Sequence, residues 1–240
     1  MSNNYFNFKQ FTINQGRCAF KVGTDGVLLG ASADAAGKKR ILDVGAGTGL
    51  IALMLAQRCD AEIIAIEPDH NSYIEATENI SRSRWKSRIA LEKCSFQNYF
   101  PDNKRFDLIV TNPPWFIDSL KNPDPAKSAA RHNDTLTHSD LLSGAARLLE
   151  EEGTFQLILP YAEGNIFIAE AQEYGFYCNK IMKIKPTPKS EIRRLILGFS
   201  RMKKKPAEEF LTIEKGKRHD FTDEYIALVK DFYLRYNSQK

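Results

Sequence analysis

The stretch Ile41-Leu-Asp-Val-Gly-Ala-Gly-Thr-Gly49 decides the fold, because an apolar run ends there in three alternating glycines. An apolar segment with helical spacing follows directly over residues 50–57. Glycine permits a tight turn from a buried strand into a helix, and it lets a ligand approach the backbone. The stretch therefore predicts the first strand, turn and helix of an α/β fold, with a ligand site at the turn.

The same alternation continues along the chain. Strands are predicted over 62–66, 89–93, 106–111 and 153–159, and helices over 71–81, 139–149 and 164–174. Strands that alternate with helices predict a mostly parallel sheet with helices on both faces. Two further strand-like runs, 176–184 and 192–200, have no helix between them, so one antiparallel strand is expected at the end.

Three regions lie outside this pattern. Residues 5–34 predict a short extended segment and a small helix that packs before the first core strand. Residues 117–138 form a long polar connection, which is typical of a lid or a binding loop. Residues 221–236 have helical spacing and several aromatic side chains, for which core packing is expected.

The glycine spacing indicates which ligand the first turn takes. A dinucleotide fingerprint, Gly-x-Gly-x-x-Gly, would need its third glycine at Leu50. Asp43 would also lie unfavourably close to a pyrophosphate, whereas its carboxylate suits an ammonium group. Glu67 ends the second strand, where a carboxylate can accept hydrogen bonds from both hydroxyls of a ribose. A ribose at one end and an amino acid at the other describe S-adenosylmethionine.

The segment Thr111-Asn-Pro-Pro-Trp-Phe116 follows the strand at 106–111. Asn112 offers a carbonyl oxygen, and Pro113 offers a backbone C=O without a competing N–H. Pro114 biases the preceding residue toward an extended conformation, and the Trp115 ring can stack on another ring. This combination suits a planar substrate that carries an amino group. The alternative is a plain strand-ending turn, because Asn-Pro and Pro-Pro are common turn dipeptides.

Composition bounds the remaining possibilities. A chain of 240 residues with a mean hydropathy of −0.40 fits one domain, and no apolar run is long enough to span a bilayer. The N-terminus lacks a signal-peptide pattern, and the four scattered cysteines favour buried reduced thiols in the cytosol. The four histidines show no metal-ligand spacing, so no metal is expected. Residues 180–218 carry a net charge of +9 and the remainder about −5, which is compatible with a polyanionic partner or with a solvated surface.

These residues resemble the class I S-adenosylmethionine-dependent methyltransferases, which have a Rossmann-like α/β fold. The resemblance implies a seven-stranded, mostly parallel sheet of order 3-2-1-4-5-7-6, with strand 7 antiparallel and helices on both faces. In that class an Asn-Pro-Pro-aromatic motif after strand 4 marks methylation of an amine conjugated to a π-system. The class usually has an acidic residue after strand 3, but Cys94-Ser-Phe96 stands here instead. Ser95 or a backbone amide is therefore expected to hold the adenine amino group, and Phe96 to pack on its ring.

The chain further resembles the bacterial tRNA1(Val) (adenosine-37-N6)-methyltransferases nearly end to end. The resemblance is carried by Phe8-Lys-Gln-Phe-Thr-Ile13, Arg17-Cys-Ala-Phe-Lys-Val-Gly-Thr-Asp-Gly-Val-Leu-Leu-Gly30, Leu53-Met-Leu-Ala-Gln-Arg58 and Asp231-Phe-Tyr-Leu234. The family usually has Tyr at the position of Trp115. The cofactor contacts that the resemblance implies are Lys21, Thr24, Asp25, Gly26, Asp43, Gly45, Gly47, Gly49, Glu67, Pro68, Ser95, Phe96 and Asn112. S-adenosylhomocysteine would be the product.

The resemblance implies a monomer in the cytoplasm that binds tRNA and neither a membrane nor a metal. Candidate phosphate contacts are Lys9, Arg17, Arg131, Lys203, Lys204 and Lys205. We expect one methyltransferase domain over 1–240, with an N-terminal extension (1–36), a core (37–200) and a basic C-terminal segment with a helix (201–240).

Three alternatives remain. Protein-glutamine N5-methyltransferases share the Asn-Pro-Pro-aromatic motif but usually have an N-terminal helical domain, and the about 40 residues that precede Asp43 argue against this alternative. DNA adenine methyltransferases normally need an additional recognition domain. A catalytically silent tRNA-binding module would keep the fold, although the intact Asp43, Glu67 and Asn112 argue against it.

Overall fold

The computed structural model describes residues 3–102, 104–114 and 136–235. Its strands are β1 (Tyr5–Asn7), β2 (Thr12–Asn14), β3 (Arg40–Val44), β4 (Glu62–Ile66), β5 (Ile89–Glu92), β6 (Phe106–Thr111), β7 (Leu149–Pro160), β8 (Tyr177–Lys185), β9 (Arg194–Ser200) and β10 (Ala207–Thr212). Its α-helices are α1 (Thr24–Ser32), α2 (Leu50–Arg58), α3 (His70–Arg82), α4 (His138–Leu148), α5 (Tyr161–Ala171) and α6 (Asp223–Val229).

The main sheet has the order β10-β8-β9-β7-β6-β3-β4-β5. Counted from β3, its first seven strands follow the expected order 3-2-1-4-5-7-6. Strand β9 is antiparallel to both of its neighbours, β7 and β8, and the other pairs are parallel. The class I arrangement is confirmed, together with the antiparallel strand.

The strand count of seven was wrong, because β10 adds an eighth strand parallel to β8. This strand lies within the segment that we expected to hold only basic residues and a helix. Along β10 only Leu211 is buried, and the large side chain of Phe210 is 66% exposed. An edge strand with one buried residue has no apolar alternation for the sequence to reveal.

Most other elements lie close to their predicted bounds, but the helical spacing of residues 221–236 corresponds to a helix only over Asp223–Val229. Helix α3 begins one residue earlier and ends one later than expected, and its N-terminus is capped by Asp69, which accepts a hydrogen bond from the Ser72 amide at 2.8 Å. Helix α5 begins at Tyr161 rather than at 164, because β7 ends in Pro160, which cannot donate a ladder hydrogen bond. Strand β7 is longer than predicted and spans twelve residues.

Two apolar cores lie on the two faces of the sheet. One contains α1, α2 and the C-terminal aromatics, and the other contains α4 and α5. Helix α2 is buried from Leu50 to Ala56 because α1 covers the side that faces away from the sheet. Tyr225, Val229 and Phe232 are buried, which confirms core packing for the C-terminal segment.

The N-terminal segment forms a hairpin of β1 and β2 ahead of α1. The expected extended segment and small helix are therefore confirmed. All four cysteines are free, but only Cys18 is buried and the others are half-buried, so the prediction of buried thiols was right for one of them. Within the described ranges, no helix is long and apolar enough to cross a membrane.

Candidate active site

The glycine turn lies where the carboxyl ends of β3 and β4 meet. Gly45, Gly47 and Gly49 have φ angles of 72°, 56° and 80°, in the left-handed region that disfavours other residues. The amides of Gly45 and Ala46 both donate to the Ile66 carbonyl at 3.0 Å. The turn is thereby fixed against the neighbouring strand, and its glycines leave the backbone open to a ligand.

Glu67 holds this turn from the end of β4. Its Oε2 accepts a hydrogen bond from the Gly47 amide at 2.8 Å, and its Oε1 accepts one from the Asp69 amide at 2.9 Å. Burial raises the pKa of the carboxyl, while these two amides oppose the rise. A carboxylate has about four lone-pair positions, so both oxygens retain capacity for further donors such as hydroxyls.

Asp43, near the end of β3, is fully buried. Its Oδ2 accepts a hydrogen bond from the Ala52 amide at 3.0 Å, whereas its Oδ1 meets no donor among the residues that the structure describes. Burial, with a smaller contribution from the nearby negative charge of Glu67, raises the pKa of Asp43 to about 7. A buried carboxylate oxygen that lacks a donor fits the ammonium group of an amino acid, so the residues present fit the expected cofactor.

The Asn-Pro-Pro segment follows β6, which lies beside β3. Thr111 Oγ1 donates to the Val44 carbonyl at 2.9 Å and joins the ends of the two strands. Asn112 is half-buried, Pro113 is buried and Pro114 is exposed. The asparagine therefore lies one strand away from Asp43, at the same edge of the sheet. Trp115 lies outside the described residues.

Helix α1 packs closely against this segment. A Cβ atom added to Gly26 would lie 3.1 Å from Leu50 Cδ2 and 3.9 Å from Asn112 Nδ2. The absent side chain thus lets the helix approach both the glycine turn and the Asn-Pro-Pro segment. Of the four residues expected between 21 and 26, Gly26 is the one that the structure places beside Asn112.

The other three residues of that group have different surroundings. Asp25 forms an ion pair with Arg194, with 2.8 Å between its Oδ2 and the arginine Nε, and both side chains are about four-fifths buried. Lys21 Nζ donates to the Asn3 carbonyl at 3.4 Å, and Thr24 is exposed at the start of α1. The carboxylate of Asp25 is thus directed toward a cation of this chain.

The residues after β5 were expected to hold the adenine. Ser95 is half-buried and precedes a single 3₁₀ turn, whereas Phe96 is only 3% exposed. The ring of Phe96 packs on α4, where a Cβ on Gly144 would lie 2.3 Å from its Cε1. Phe96 therefore contacts the core through this face. Pro68 is exposed directly after Glu67.

The candidate phosphate contacts do not form one cluster. Arg17 pairs with Glu78 at 2.5 Å near the middle of α3, and the backbone of Lys9 bonds to the Phe232 carbonyl at 2.7 Å. Lys203 to Lys205 are exposed after the end of β9. Arg131 lies outside the described residues, as does most of the connection that we expected to act as a lid.

Sequence reasoning missed two buried polar residues of α3 that support the site. Glu75 accepts hydrogen bonds from the amides of Gly16, Arg17 and Cys18. Asn79 donates to the Thr48 carbonyl at 2.9 Å and also bonds both ways with the backbone of β2. Ser72, Glu75 and Asn79 follow an i, i+3, i+7 spacing, which was the available signal for a polar stripe on the buried face.

Over the described ranges, no group of three or more His, Cys, Asp or Glu side chains is placed to hold a metal ion. The polar groups converge instead on the glycine turn and on Asn112. The arrangement can bind a cationic ligand with vicinal hydroxyls beside a planar amine.

Comparison with known proteins gives a consistent result. Residues 21–164 match the model of the methyltransferase small domain family. The chain is 47% identical over 240 residues to a protein of Trichodesmium erythraeum, covering 98% of this chain and 100% of that one. It is 45% identical over 237 residues to a protein of Bacteroides fragilis, covering 98% and 100%. Both relatives bear the name tRNA1(Val) (adenine(37)-N6)-methyltransferase.

Solved structures share the fold at lower identity. A predicted O-methyltransferase from Agrobacterium tumefaciens, protein Atu636, has a TM-score of 0.63 at 21% identity, covering 85% of this chain and 95% of that one. The glycopeptide N-methyltransferase MtfA in complex with S-adenosylmethionine has a TM-score of 0.55 at 14% identity, covering 76% and 100%. At such identities the likeness concerns the architecture alone.

Proposed function

The chain belongs to the methyltransferase small domain family, among the tRNA1(Val) (adenine(37)-N6)-methyltransferases, and on that premise we propose that it methylates N6 of adenosine 37 in a valine tRNA. The observation that carries the proposal is the pairing of two features at adjacent strand ends. Asp43 presents a buried oxygen that has no donor among the described residues, and Asn112 presents an amide one strand away. One feature suits the cofactor and the other suits the planar amine that receives the methyl group.

S-adenosylmethionine is the cofactor, and it supplies an electrophilic methyl group on a positively charged sulfur. We assign its ammonium group to Asp43 and its ribose hydroxyls to Glu67, which keeps free lone pairs on both oxygens. The turn that contains Gly45, Gly47 and Gly49 lets the backbone approach the cofactor without side-chain clashes. Ser95 remains our candidate for the adenine amino group of the cofactor.

The acceptor side is built from Asn112 and Pro113. The N6 lone pair of adenine is delocalised into the ring, which makes this nitrogen a poor nucleophile. The Asn112 side-chain oxygen and the Pro113 carbonyl would each accept one N6 hydrogen and direct the lone pair toward the methyl group. Because a sulfonium is an excellent leaving group, positioning and electrostatics supply the acceleration and no strong base is required.

The target base must leave its stack before it can enter the site, at a cost of a few kcal/mol. We assign the compensating stacking contact to Trp115 from the sequence, since such contacts contribute about 1–3 kcal/mol per base. An anticodon loop already exposes its bases, which lowers the cost of extrusion further. Pro114, which stands between Asn112 and Trp115 in the sequence, restricts the backbone conformation of this segment.

We also propose an organisation and a location for the enzyme. Residues 37–200 form the methyltransferase core, 1–36 an N-terminal extension that supports α3, and 201–240 a C-terminal segment. The enzyme acts as a monomer in the cytoplasm, where its tRNA substrate is found. Neither a membrane nor a metal enters the reaction.

The test is transfer of labelled methyl groups from S-adenosylmethionine to bulk tRNA, followed by nucleoside mass spectrometry. N6-methyladenosine is the expected product. The Asn112→Ala variant should lose at least a hundredfold in turnover while it keeps cofactor affinity, because the lost acceptor acts on the substrate nitrogen. Asn7→Ala changes an exposed asparagine of β1, outside the site, and serves as the control. A different methylated nucleoside, methylation of a protein glutamine only, or full activity of Asn112→Ala would refute the proposal.

A further inference from the structure

The reversed direction of β9 divides the basic region 180–218 between two opposite edges of the sheet. Because β9 runs against its neighbours, its first residue, Arg194, pairs with Pro160 at the carboxyl edge where Asn112 lies. Its last residue, Ser200, pairs with Tyr177 at the start of β8, on the amino edge. The six residue steps between Arg194 and Ser200 separate the two edges by about 20 Å.

At the carboxyl edge of the sheet, β7 extends beyond the end of β6, next to the Asn-Pro-Pro segment. Thr111 pairs with Leu157, so β7 continues three residues further to Pro160 before α5 begins. At about 3.3 Å per residue, this extension stands about 10 Å above the end of β6. Adjacent strands lie about 4.8 Å apart, which places β9 about 10 Å to the side of Asn112. The ends of β7, β9 and β8 thus form a wall along one side of the acceptor site.

The top of this wall carries an aromatic ring and two exposed cations. We name residues 186–193 together with Tyr161 the edge patch. The Tyr161 amide donates to the Arg193 carbonyl at 3.1 Å, and the Tyr161 side chain is 43% exposed. Lys189 and Arg193 are exposed, and Glu191 is the acidic residue between them. An exposed ring beside cations is the combination with which proteins bind single-stranded nucleic acid.

The amino-edge half of the basic region has other contacts. Lys203 Nζ lies 5.8 Å from the centre of the Tyr177 ring, and the Lys204 amide donates to Asn179 Oδ1 at 3.3 Å. Tyr177 and Asn179 are the first and third residues of β8, at its amino end. Lys203 to Lys205 therefore lie at the edge opposite to Asn112, although the sequence had suggested them as phosphate contacts.

We propose that the edge patch binds the anticodon-loop nucleotides next to the methylated adenosine, and that Lys203 to Lys205 do not take part in this contact. The proposal rests on the proposed function and deepens it. Tyr161 stacks on a flanking base, while Lys189 and Arg193 contact the adjoining phosphates. By the strand spacing and register, the start of β9 lies about 10 Å to the side of Asn112, a distance that one strand of RNA spans.

Two variants with the same change in charge test the proposal. Lys189→Glu/Arg193→Glu alters the edge patch, and Lys203→Glu/Lys204→Glu alters the opposite edge. Binding of a fluorescent valine tRNA is measured by anisotropy between 50 and 200 mM salt, on the full chain. The edge-patch variant should bind at least tenfold more weakly at low salt. Its slope of log affinity against log salt should flatten by about 1.4, or about 0.7 per lost single-strand phosphate contact. The opposite-edge variant should stay within twofold of the wild type.

The stacking role of Tyr161 has its own test. Tyr161→Ala should weaken tRNA binding about fivefold or more, whereas Tyr161→Phe should bind like the wild type because the ring remains. Cofactor affinity and melting temperature are measured for every variant, and the single change Lys189→Glu replaces the double variant if the latter is destabilised. An unchanged affinity and slope in the edge-patch variants, or an equal loss at the opposite edge, would overturn the proposal. Failure of the wild type to methylate any tRNA would instead refute the proposed function.

Discussion

Replacing Asp43 by asparagine is expected to stabilise the protein without cofactor above pH 7 and to weaken its binding of S-adenosylmethionine. The carboxyl is fully buried and only one of its oxygens has a donor among the described residues. Burial is the larger cause of its raised pKa of about 7, against an ordinary value of 3.8, and Glu67 adds to it. The folded chain therefore holds a proton that the unfolded chain has already lost.

The sign of the pH dependence follows from this difference. The stability that the neutral carboxyl contributes is complete below pH 3.8 and is lost as the pH rises through about 7. At about 1.4 kcal/mol per pKa unit, the ionised carboxylate lowers the free energy of unfolding by up to about 4 kcal/mol above pH 7. In Asp43→Asn that loss disappears, but an unpartnered amide hydrogen costs about 1–3 kcal/mol. The net gain of about 2 kcal/mol corresponds to a melting temperature about 4–8 °C higher at pH 8.

Thermal unfolding followed by circular dichroism between pH 5 and pH 9, without cofactor, measures this effect. The difference between Asp43→Asn and the wild type should increase with pH and level off above pH 8. Glu67→Gln is the contrasting variant. Both Glu67 oxygens accept backbone amides, so a side-chain NH2 group would face one of those donors and destabilise the fold by about 1–3 kcal/mol.

Calorimetric titration with S-adenosylmethionine at pH 8 supplies the second measurement. Asp43→Asn should bind the cofactor at least tenfold more weakly, because the neutral amide cannot pair with an ammonium group. A stability difference that does not vary with pH would refute the reasoning about burial. Unchanged cofactor affinity in this variant would refute the assignment of the ammonium group to Asp43.

Two further predictions concern packing around the site. A double-mutant cycle on Asp25→Ala and Arg194→Ala should give a coupling energy of about 1–3 kcal/mol in thermal unfolding, because the ion pair is mostly buried. Each single variant should lower turnover more than it lowers cofactor affinity. Additive effects of the two substitutions on stability would argue against the ion pair. Gly144→Ala should destabilise the fold by about 1–3 kcal/mol, because the new Cβ would meet the Phe96 ring at 2.3 Å, and Phe96→Leu should relieve part of that loss in denaturant unfolding.

The sequence predicted the part of the fold where local patterns and tertiary contacts agree. The glycine turn after β3 could be predicted from the sequence, because its three positive φ angles require three glycines. The order of the first seven strands followed from the family resemblance. The eighth strand was missed because Ala207–Thr212 buries a single side chain, and its pairing with β8 depends on backbone hydrogen bonds that leave no periodic signal.

Within the site, single residues were easier to predict than their partners. Asp43, Glu67 and Asn112 lie at the expected strand ends, because each stands directly beside a recognisable strand. The partner of Asp25 is Arg194, which lies 169 positions further along the chain, and no local pattern connects them. The division of the basic region between two edges of the sheet could not be predicted from a local pattern either, because it depends on the direction in which β9 is inserted.

That one strand links the acceptor site to the edge that we assign to RNA. Successive side chains of a strand point to opposite faces, so a slip of β9 by one residue would turn Arg194 away from Asp25. Leu195, Ile196 and Leu197 are almost completely buried on the two faces, and this burial fixes the register. Arg194 at the start of β9 then forms the ion pair with Asp25 of α1, and the turn before β9 is exposed to solvent beside Tyr161. The apolar core of β9 thereby sets both the position of α1 against Asn112 and the height of the edge patch above it.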